Sequence, residues 1–361
     1  MRPDRVLVIG AGLIGGSIGL GLRAAWEGTE IVASDRDLDA AERAVELGAA
    51  HRAGTIDEAV SCDLVVVATP VSSAAGVFGE LARHVLPGAV VTDAGSTKRS
   101  VVEAALDALP EGVAFVGGHP MAGSEEAGVE HARGDLFEGG WWVLTPTRET
   151  PPEAYKLVLS MASALGARTI VLDPASHDAL VATVSHLPQL LASGLMRFAG
   201  EQGRDRAALR ALAAGGFRDM TRIASSRPDI WLDICRENRL AIGEALHGFA
   251  RELEGIATAV EREDDEWLRA FFEDARRARH AVPLKAGAGE LVEILVDIPD
   301  RPGALAEITT LIGELGINIE DLGGISHAAD GTHGVLSLFV RSDAPRDALL
   351  ATLESRGLVV R

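Results

Sequence analysis

The run Val6-Leu7-Val8-Ile9-Gly10-Ala11-Gly12-Leu13-Ile14-Gly15 decides the fold of the amino-terminal part of the chain. A short β-branched run that leads into Gly-x-Gly-x-x-Gly is typical of a strand, a tight turn and a helix start. The glycines let a phosphate group approach the backbone closely, and the amides at the helix start attract it. A tight turn without a ligand is the weaker alternative. The residues predicted to bind the pyrophosphate of a dinucleotide are Gly10, Gly12, Leu13, Ile14 and Gly15.

The second strand of this pattern leads to an acidic side chain. Asp35 follows the predicted strand 30–33 and lies 20 residues after Gly15. A carboxylate at that position accepts hydrogen bonds from the ribose hydroxyls and repels a 2′-phosphate. The sequence therefore favours NAD over NADP, although the neighbouring Arg36 could partly favour the phosphorylated cofactor.

Strand and helix patterns alternate through residues 1–168. Short β-branched runs predict strands at 6–9, 30–33, 64–68, 89–92, 114–116 and 142–144. Amphipathic segments bounded by glycine or proline predict helices at 13–25, 38–47, 72–85 and 98–108. This alternation is typical of an α/β Rossmann-type domain with a mainly parallel sheet.

The β-branched runs disappear from about Asp173 to His280, which predicts an all-helical domain at residues 169–282. Pro174 suits the first turn of a helix, whereas Pro188 removes a backbone donor and clashes with the preceding turn. A kink is therefore predicted at His186. Because His177 and His186 are nine residues apart, they are predicted on opposite faces of the helix and cannot share a metal ion.

Residues 283–289 are mostly small and lack apolar periodicity, which predicts a linker. A third domain, 290–361, follows it. The patterns in this domain predict strands at 290–298, 317–326, 335–340 and 358–360, with helices at 303–315 and 345–355. The resulting β-α-β-β-α-β order is typical of a ferredoxin-like fold.

The composition excludes several classes of protein. The 361 residues carry a formal charge of −19, which argues against a nucleic-acid partner because phosphates require a basic face. Cys62 and Cys235 are the only cysteines and lack metal-site spacing, so a buried position for each and a reducing cytoplasm are expected. No apolar stretch approaches a membrane span, so no membrane partner is predicted, and no metal site is predicted either.

Two loops leave predicted strands at their carboxyl ends, the edge at which open α/β sheets bind ligands. Thr69 and Pro70 lie in the first loop and are predicted to contact the cofactor. Ser96 in the second loop could donate a hydrogen bond to the nicotinamide, to the substrate or to His119. A role for Ser96 as a helix N-cap fits its spacing equally well. Lys98 is predicted to be a solvated residue of the first helical turn.

The run Gly117-Gly118-His119-Pro120-Met121-Ala122-Gly123-Ser124-Glu125 places one imidazole in a loop of small residues. The proline biases His119 toward extended backbone, which aims the ring outward. An imidazole titrates in the range required of a base within reach of a hydroxyl whose carbon loses hydride. His119 is therefore predicted to be catalytic, with Glu125 orienting or polarising it. A buried histidine satisfied by the backbone is the alternative.

An anionic substrate needs local positive charge in so acidic a chain. Arg222, in the run FRDMTRIA, can grip a carboxylate through two parallel hydrogen bonds. Asp219 lies three residues earlier, and the two could instead form a helix-surface pair that contributes about 0.2 to 0.5 kcal/mol. Trp231 and His186 are predicted to line the same cavity.

In the third domain, the run DRPGALAEI joins a strand to a helix, and GINI opens the next strand. Turn chemistry alone explains both segments. A glycine at a helix start could equally let the carboxylate of an amino acid reach backbone amides. The candidate regulatory residues are Asp300, Pro302, Gly303, Ala304 and Asn318.

In their order along the chain, these motifs resemble the prephenate and arogenate dehydrogenases of tyrosine biosynthesis, and the last part resembles an ACT domain. The runs that carry the resemblance are GAGLIGGSIG, VVVATPV, TDAGSTK, GGHPMAGSE, SHLP, FRDMTRIA, DRPGALAEI and GINIEDL. The resemblance implies oxidative decarboxylation, in which hydride passes to NAD, carbon dioxide leaves and the ring becomes aromatic. The expected reaction converts prephenate to 4-hydroxyphenylpyruvate.

The resemblance also assigns roles to single residues. His119 would polarise the 4-hydroxyl, Ser96 would position it and the nicotinamide, and Arg222 would grip a substrate carboxylate. The helical domain would build a homodimer, and an amino acid such as tyrosine would act at the ACT-like domain as a feedback effector. The residues implied to shape the pocket are Ser124, Glu125, His186 and Asp219.

Gln189 stands where several members of the family carry histidine, which leaves open the pH dependence and the choice between prephenate and arogenate. Two other classes compete with this interpretation. A 3-hydroxyacid dehydrogenase would need a lysine base, and residues 166–280 contain no lysine. An amino-acid sensor with a relic dinucleotide domain would bind tyrosine without turnover, which fits poorly with Asp35, His119 and Arg222.

Overall fold

The structure is a computed structural model that forms two compact units, Met1–Thr258 and Ala259–Arg361. Each unit is described by itself. The described residues are 2–123, 126–202, 212–281, 291–299, 301, 303–319, 321–327, 333–341, 344–356 and 358–360.

The first unit begins with an eight-stranded sheet in the order β3-β2-β1-β4-β5-β6-β7-β8. All neighbouring strands are parallel except β6 and β7, which are antiparallel. The strands are β1 Arg5–Ile9, β2 Glu30–Ser34, β3 Arg52–Ala53, β4 Leu64–Val67, β5 Val90–Asp93, β6 Ala114–Pro120, β7 Trp141–Thr145 and β8 Arg168–Val171. The helices of this part are α1 Leu13–Ala25, α2 Leu38–Glu46, α3 Ala74–Leu81, α4 Arg99–Ala108 and α5 Pro152–Ala164.

Helices cover both faces of this sheet because successive strand residues point to opposite sides. Val6 and Val8 of β1 belong to a core with α1, α2 and α5. Leu7 and Ile9 of the same strand belong to a second core with α3 and α4. The Rossmann-type fold is confirmed, and β3, β8 and α5 add to the elements that the sequence predicts. The strand order reverses between β1 and β4, which is the point where such sheets bind ligands.

A helical region follows the sheet in the same unit, and its last helix ends three residues beyond the boundary at Thr258. Its elements are α6 Pro174–Val181, a π-helical turn Ala182–His186, α7 Leu187–Gln202, α8 Gly215–Thr221, α9 Pro228–Glu237 and α10 Arg239–Glu261. The Asp173 side chain caps α6 by accepting hydrogen bonds from two backbone amides of its first turn. The distortion predicted at His186 is found there as the π-helical turn, which widens the helix directly before Pro188.

The helical stretch Pro174–Glu201 is long enough to cross a membrane, and an 18-residue window in it reaches a mean hydropathy of 1.3, which meets the criterion by length and composition alone. The prediction that no stretch approaches that length was therefore wrong. Four polar side chains of this stretch are almost fully buried in the protein, namely His177, Asp178, His186 and Gln189. Buried polar side chains of this kind normally have hydrogen-bond partners within the protein.

The second unit contains α11 Asp265–Ala281 and a small antiparallel sheet in the order β10-β11-β9. Its other elements are β9 Leu291–Pro299, α12 Ala304–Glu314, β10 Asp321–His327, β11 His333–Arg341 and α13 Arg346–Ser355. The last predicted strand is reduced to a single bridge between Val360 and Val296. The ferredoxin-like order is confirmed, while the predicted linker 283–289 lies outside the described residues.

Candidate active site

The turn between β1 and α1 forms an open cradle at the switch point of the sheet. Gly10 has a φ of +102°, and a Cβ there would lie 2.6 Å from the carbonyl oxygen of Ala68. Only glycine fits this close approach of the two strand ends. A Cβ at Gly12 would meet nothing within 4 Å, and no side chain caps α1. The first amides of α1 therefore face open space that suits a pyrophosphate.

The predicted ribose carboxylate is fixed beside this cradle. Asp35 Oδ2 accepts a hydrogen bond of 2.7 Å from the Ala11 amide, and Oδ1 accepts one of 2.9 Å from the Asp37 amide. The side chain of the next residue, Arg36, is exposed. Thr69 lies across the cradle, and its buried hydroxyl has no hydrogen-bond partner among the described residues. Pro70 is exposed and begins the turn that follows Thr69. The cradle, the fixed carboxylate and the unpartnered hydroxyl together fit a dinucleotide.

His119 lies in β6 rather than in a loop, because pairing with β7 extends the strand to Pro120. Gly118 makes this possible, since a Cβ there would lie 2.6 Å from the carbonyl oxygen of Asp93 at the end of β5. The His119 Nδ1 atom lies 2.8 Å from Nε2 of His177, with the two rings edge to face. Burial lowers the pKa of His119 well below its usual value, and the nearby His177, Lys98 and His186 lower it further. His119 is therefore a neutral imidazole at pH 7.

His177 is fully buried near the start of α6. Its Nδ1 atom lies 2.8 Å from Oδ1 of Asp178. The carboxylate of Asp178 also accepts hydrogen bonds from the amides of Lys98 and Arg99, at 2.7 and 3.0 Å. Asp178 thus caps the start of α4 from another helix and holds His177 against His119.

His186 is buried on the other side of Asp178. Asn238 Nδ2 donates a 2.8 Å hydrogen bond to the carbonyl oxygen of Asp178 and lies 3.3 Å from Nδ1 of His186. The Nδ1 atom of His186 is therefore an acceptor, and the proton of the neutral ring is on Nε2. The ring of Trp231 meets His186 edge to face, with 6.1 Å between centroids.

The prediction that His177 and His186 lie on opposite helix faces assumed a regular α-helix, and their inability to share a metal ion stays a prediction. Both imidazoles are buried, and both contact a network that includes Asp178. The nine-residue separation gives opposite faces only in a regular α-helix. The π-helical turn Ala182–His186 has about one more residue per turn, which changes the angle at which His186 leaves the helix.

Lys98 is fully buried and forms an ion pair with Asp93, so its prediction as a solvated residue was wrong. Asp93 also accepts hydrogen bonds from the amides of Gly95 and Gly118, at 2.8 and 3.0 Å. Burial lowers the pKa of Lys98, and the charge of Asp93 opposes that shift. This pair lies under the loop that carries Ser96 and beside the strand that carries His119.

Ser96 lies half-buried between β5 and α4. The N-cap of α4 is Lys98, so the alternative role of Ser96 as N-cap was wrong. The amides at the start of α4 are satisfied by Asp178 instead. Ser96 lies at the carboxyl edge of the sheet. Its contacts with the substrate and the nicotinamide remain predictions.

Arg222 and Asp219 are exposed, and no ion pair joins them in the described part of the chain. Gln189, in contrast, is buried and donates a 2.9 Å hydrogen bond to the carbonyl oxygen of Ile223, next to Arg222. Gln189 therefore anchors the turn that carries the predicted carboxylate-binding arginine. The predicted pocket residues Ser124 and Glu125 lie outside the described residues.

Cys62 is buried as predicted, and burial raises the pKa of its thiol to about 11. Cys235 is only half-buried. Both thiols are free, and neither contacts the imidazole network in any described hydrogen bond.

Sequence reasoning missed four residues of the site, namely Lys98, His177, Asp178 and Asn238. The adjacent pair His177-Asp178 in the first turns of a helix was a usable signal. The role of Asn238 depends on the packing of α9 and α10 against α6, which no local pattern reveals.

The buried histidines give a prediction for stability. Burial lowers the pKa of His186 to about 4, whereas the unfolded chain titrates near 6.5. Between these values the unfolded state binds more protons, so acid favours unfolding by up to about 1.4 kcal/mol per pH unit. We expect the free energy of unfolding to fall between pH 7 and pH 5. The H186N variant should have a shallower pH dependence in urea titrations, whereas H131N, at an exposed histidine, should keep the wild-type slope.

The sheet is mainly parallel, and one edge of it holds an uncapped glycine cradle, a fixed carboxylate for the ribose and a neutral imidazole. These features define a nicotinamide-dependent dehydrogenase. Three family models match the chain. They are the nucleotide-binding domain of prephenate dehydrogenase at residues 18–171, its dimerization domain at 173–274 and the ACT domain at 292–357. The chain belongs to the prephenate dehydrogenase family, and NAD is its cofactor.

Known proteins support this assignment along most of the chain. Prephenate dehydrogenase of Bacillus subtilis is 35% identical over 358 residues, covering 98% of this chain and 96% of the relative. That of Lactococcus lactis is 34% identical and covers 87% of each chain. The crystal structure of A. aeolicus prephenate dehydrogenase with hydroxyphenyl propionate and NAD⁺ has a TM-score of 0.72 and 32% identity, covering 77% of this chain and 97% of that one. The hydroxyacid dehydrogenase alternative is thereby set aside.

Proposed function

We propose that this protein converts prephenate to 4-hydroxyphenylpyruvate by NAD-dependent oxidative decarboxylation. The observation that carries the proposal is the neutral imidazole of His119, hydrogen-bonded through Nδ1 to His177 beside the dinucleotide cradle. The Nε2 atom of such a ring can accept a hydrogen bond from the 4-hydroxyl of the substrate.

The residues of the chain would contribute binding and electrostatics to this reaction. The nicotinamide ring of bound NAD would be the acceptor of the hydride. Accepting a hydrogen bond from the 4-hydroxyl would increase electron density at the carbon that loses hydride. The bond to the ring carboxylate would then break, its electron pair would enter the ring, and carbon dioxide would leave. His119 would accept this hydrogen bond, while Arg222 and Ser96 would orient the substrate.

The test is the formation of NADH at 340 nm, with prephenate compared with arogenate. We expect turnover of prephenate, because the curated relatives similar over most of this chain are prephenate dehydrogenases. Turnover of arogenate alone would assign the reaction to the amino-acid substrate instead. An absence of turnover with either substrate would contradict the proposal and favour a sensing role.

Asp35 gives a prediction for cofactor choice. The D35N variant keeps a side chain that can bond to the backbone at Ala11 or Asp37, but it loses the charge that repels a 2′-phosphate. We expect the preference for NAD over NADP, measured as the ratio of kcat/KM values, to fall about tenfold or more, which corresponds to about 1.4 kcal/mol. The matched control is D37N at the neighbouring N-cap of α2, which should leave the ratio unchanged. An unaltered ratio in D35N would remove Asp35 from the cofactor site.

We also propose that the second unit binds an amino acid, with tyrosine as the feedback effector. Gly303 has a φ of +88° at the start of α12, and a Cβ there would meet nothing within 4 Å. The start of α12 therefore borders open space at Gly303, although the amide of the buried Ala304 already donates to the carbonyl oxygen of Arg301 at 3.3 Å, and Asn318 is exposed. The other candidates, Asp300 and Pro302, lie outside the described residues. Inhibition of NADH formation by tyrosine, but not by alanine, would support this proposal.

A homodimer built by the helical region is proposed as well. Its helices expose large apolar side chains, which a partner copy would cover. Examples among the described residues are Leu180, Val184, Phe198, Ile230, Leu232, Leu240 and Leu253. Light scattering should give twice the mass of 37.8 kDa, and a monomeric mass would contradict the proposal.

A further inference from the structure

The hydrogen bonds behind His119 form a chain with a fixed direction. The amides of Lys98 and Arg99 donate to the Asp178 carboxylate, Nδ1 of His177 lies against the same carboxylate, and Nδ1 of His119 lies against Nε2 of His177. The two ring-to-partner distances are both 2.8 Å. Asp178 and His177 are almost fully buried, so water does not compete for these bonds.

The Asp178 carboxylate sets the donors in this chain. Backbone amides only donate, and an ionised carboxylate only accepts. Burial would raise the pKa of Asp178, but the hydrogen bonds from His177 and from the amides of Arg99 and Lys98 outweigh it and lower the pKa. The carboxylate is therefore ionised and takes its hydrogen bond from Nδ1–H of His177. When His177 carries only that proton, its Nε2 is bare, and the 2.8 Å contact then requires a proton on Nδ1 of His119.

We propose that Asp178 and His177 are positioning residues that hold His119 in the tautomer with a proton on Nδ1 and a bare Nε2. The opposite tautomer would place two lone pairs against each other across 2.8 Å. The catalytic consequence of this tautomer rests on the proposed function, because the 4-hydroxyl of the substrate needs a bare Nε2 as its hydrogen-bond acceptor. The ionised Asp178 also stabilises any positive charge that develops on the imidazole pair.

The position of Asp178 connects this chain to the architecture of the site. Its carboxylate caps α4, the helix that follows the Ser96 loop, and its carbonyl oxygen accepts from Asn238, which also contacts His186. One residue therefore fixes the start of α4 and the orientation of both histidine networks. The substitution that isolates the tautomer effect is accordingly at His177, because a change at Asp178 would also uncap α4.

The direct test is ¹⁵N NMR of histidine-labelled protein, which distinguishes a protonated from a bare ring nitrogen. The H119N variant identifies the His119 signals. In the wild-type protein we expect His119 to be protonated at Nδ1 and bare at Nε2. A His119 ring with its proton on Nε2 would overturn the inference. This result needs no turnover, so the inference and the proposed reaction can fail separately.

The kinetic test compares H177L with H177Q. Leucine removes the acceptor for His119 Nδ1–H, and we expect kcat to fall about 10- to 100-fold, by analogy with the loss of hydrogen-bond partners that orient metal-binding histidines. Its His119 signals should show a mixture of tautomers. Glutamine can both accept from His119 and donate to Asp178, so it should recover most of kcat and the single tautomer. The control H131Q, at an exposed histidine, should leave both readouts unchanged.

Two outcomes of this comparison would contradict the role of His177. The first is an H177L protein with wild-type kcat and a single His119 tautomer. The second is an equal loss in H177L and H177Q with the dissociation constant of NAD raised in both, which would indicate a general structural defect. If H177L does not fold, the wild-type tautomer and the H177Q kinetics still decide the question.

Discussion

Replacing His119 with asparagine is expected to lower kcat for prephenate about 10² to 10⁴-fold, the usual contribution of a positioned acid–base group. The asparagine amide can still donate a hydrogen bond to Nε2 of His177, so the buried network is kept. The variant loses the hydrogen-bond acceptor that Nε2 of His119 would offer to the 4-hydroxyl of the substrate. The dissociation constant of NAD should stay near the wild-type value, because the cradle residues Gly10 to Gly15 lie on other elements. Steady-state kinetics and NAD titration by fluorescence measure the two effects.

The pH profile strengthens the test on His119. The pKa of its ring is lowered by burial and by three neighbouring groups, so the imidazole stays neutral below pH 6.5. The acid limb of kcat/KM should therefore lie below the pKa of a free histidine, and it should be absent from the residual activity of H119N. The exposed control H131N should behave as wild type. A variant at His119 that loses NAD binding and turnover equally would remove His119 from the reaction.

The fold was largely predictable because its signals are local. The glycine turn after β1, the β-branched runs and the proline and glycine boundaries each act over a few residues. The strand β8 and the helix α5 escaped prediction because Arg168–Val171 is short and exposed, and Pro152–Ala164 has no strong cap. His119 was predicted in a loop but lies in β6, because pairing with β7 is a tertiary contact that extends the strand through this glycine-rich segment.

The cofactor half of the site was predictable for the same reason, whereas the imidazole network was not. Asp35 follows the glycine turn at a fixed spacing, and its carboxylate lies beside that turn. His177, Asp178 and Asn238 come from helices far along the chain and meet His119 only after those helices pack on the sheet edge. The π-helical turn matters here, because it breaks the regular periodicity from which opposite helix faces were inferred.

Lys98 shows most clearly how tertiary structure overrides a local expectation. A lysine at a helix start is usually solvated, and buried lysines are rare unless they are paired. Here Asp93 ends β5 only five residues earlier, and the loop turns back so that the ammonium group lies against its carboxylate. Two backbone amides complete the coordination of Asp93, one of them from Gly118 next to His119. The ion pair therefore links the Ser96 loop to the strand that carries the base.

The K98M variant should lower the free energy of unfolding by about 3 to 5 kcal/mol, because it leaves the Asp93 carboxylate buried without its counter-charge. The matched control is K156M, whose exposed pair with Glu153 should contribute no more than about 1 kcal/mol. The double variant D93N/K98M should recover part of the loss, since a neutral amide can still accept a hydrogen bond from an amide of Gly95 or Gly118. Urea unfolding followed by tryptophan fluorescence measures all three.

The K98M variant should also change the pH dependence of activity, and this effect distinguishes the charge of Lys98 from its packing. The positive charge of Lys98 is one of the groups that lower the pKa of His119, so its removal should move the acid limb of kcat/KM to higher pH. A cavity or strain at position 98 would lower stability without moving that limb. K98M with wild-type stability, or D93N/K98M less stable than K98M alone, would show that the ion pair does not hold the Ser96 loop against the strand of His119.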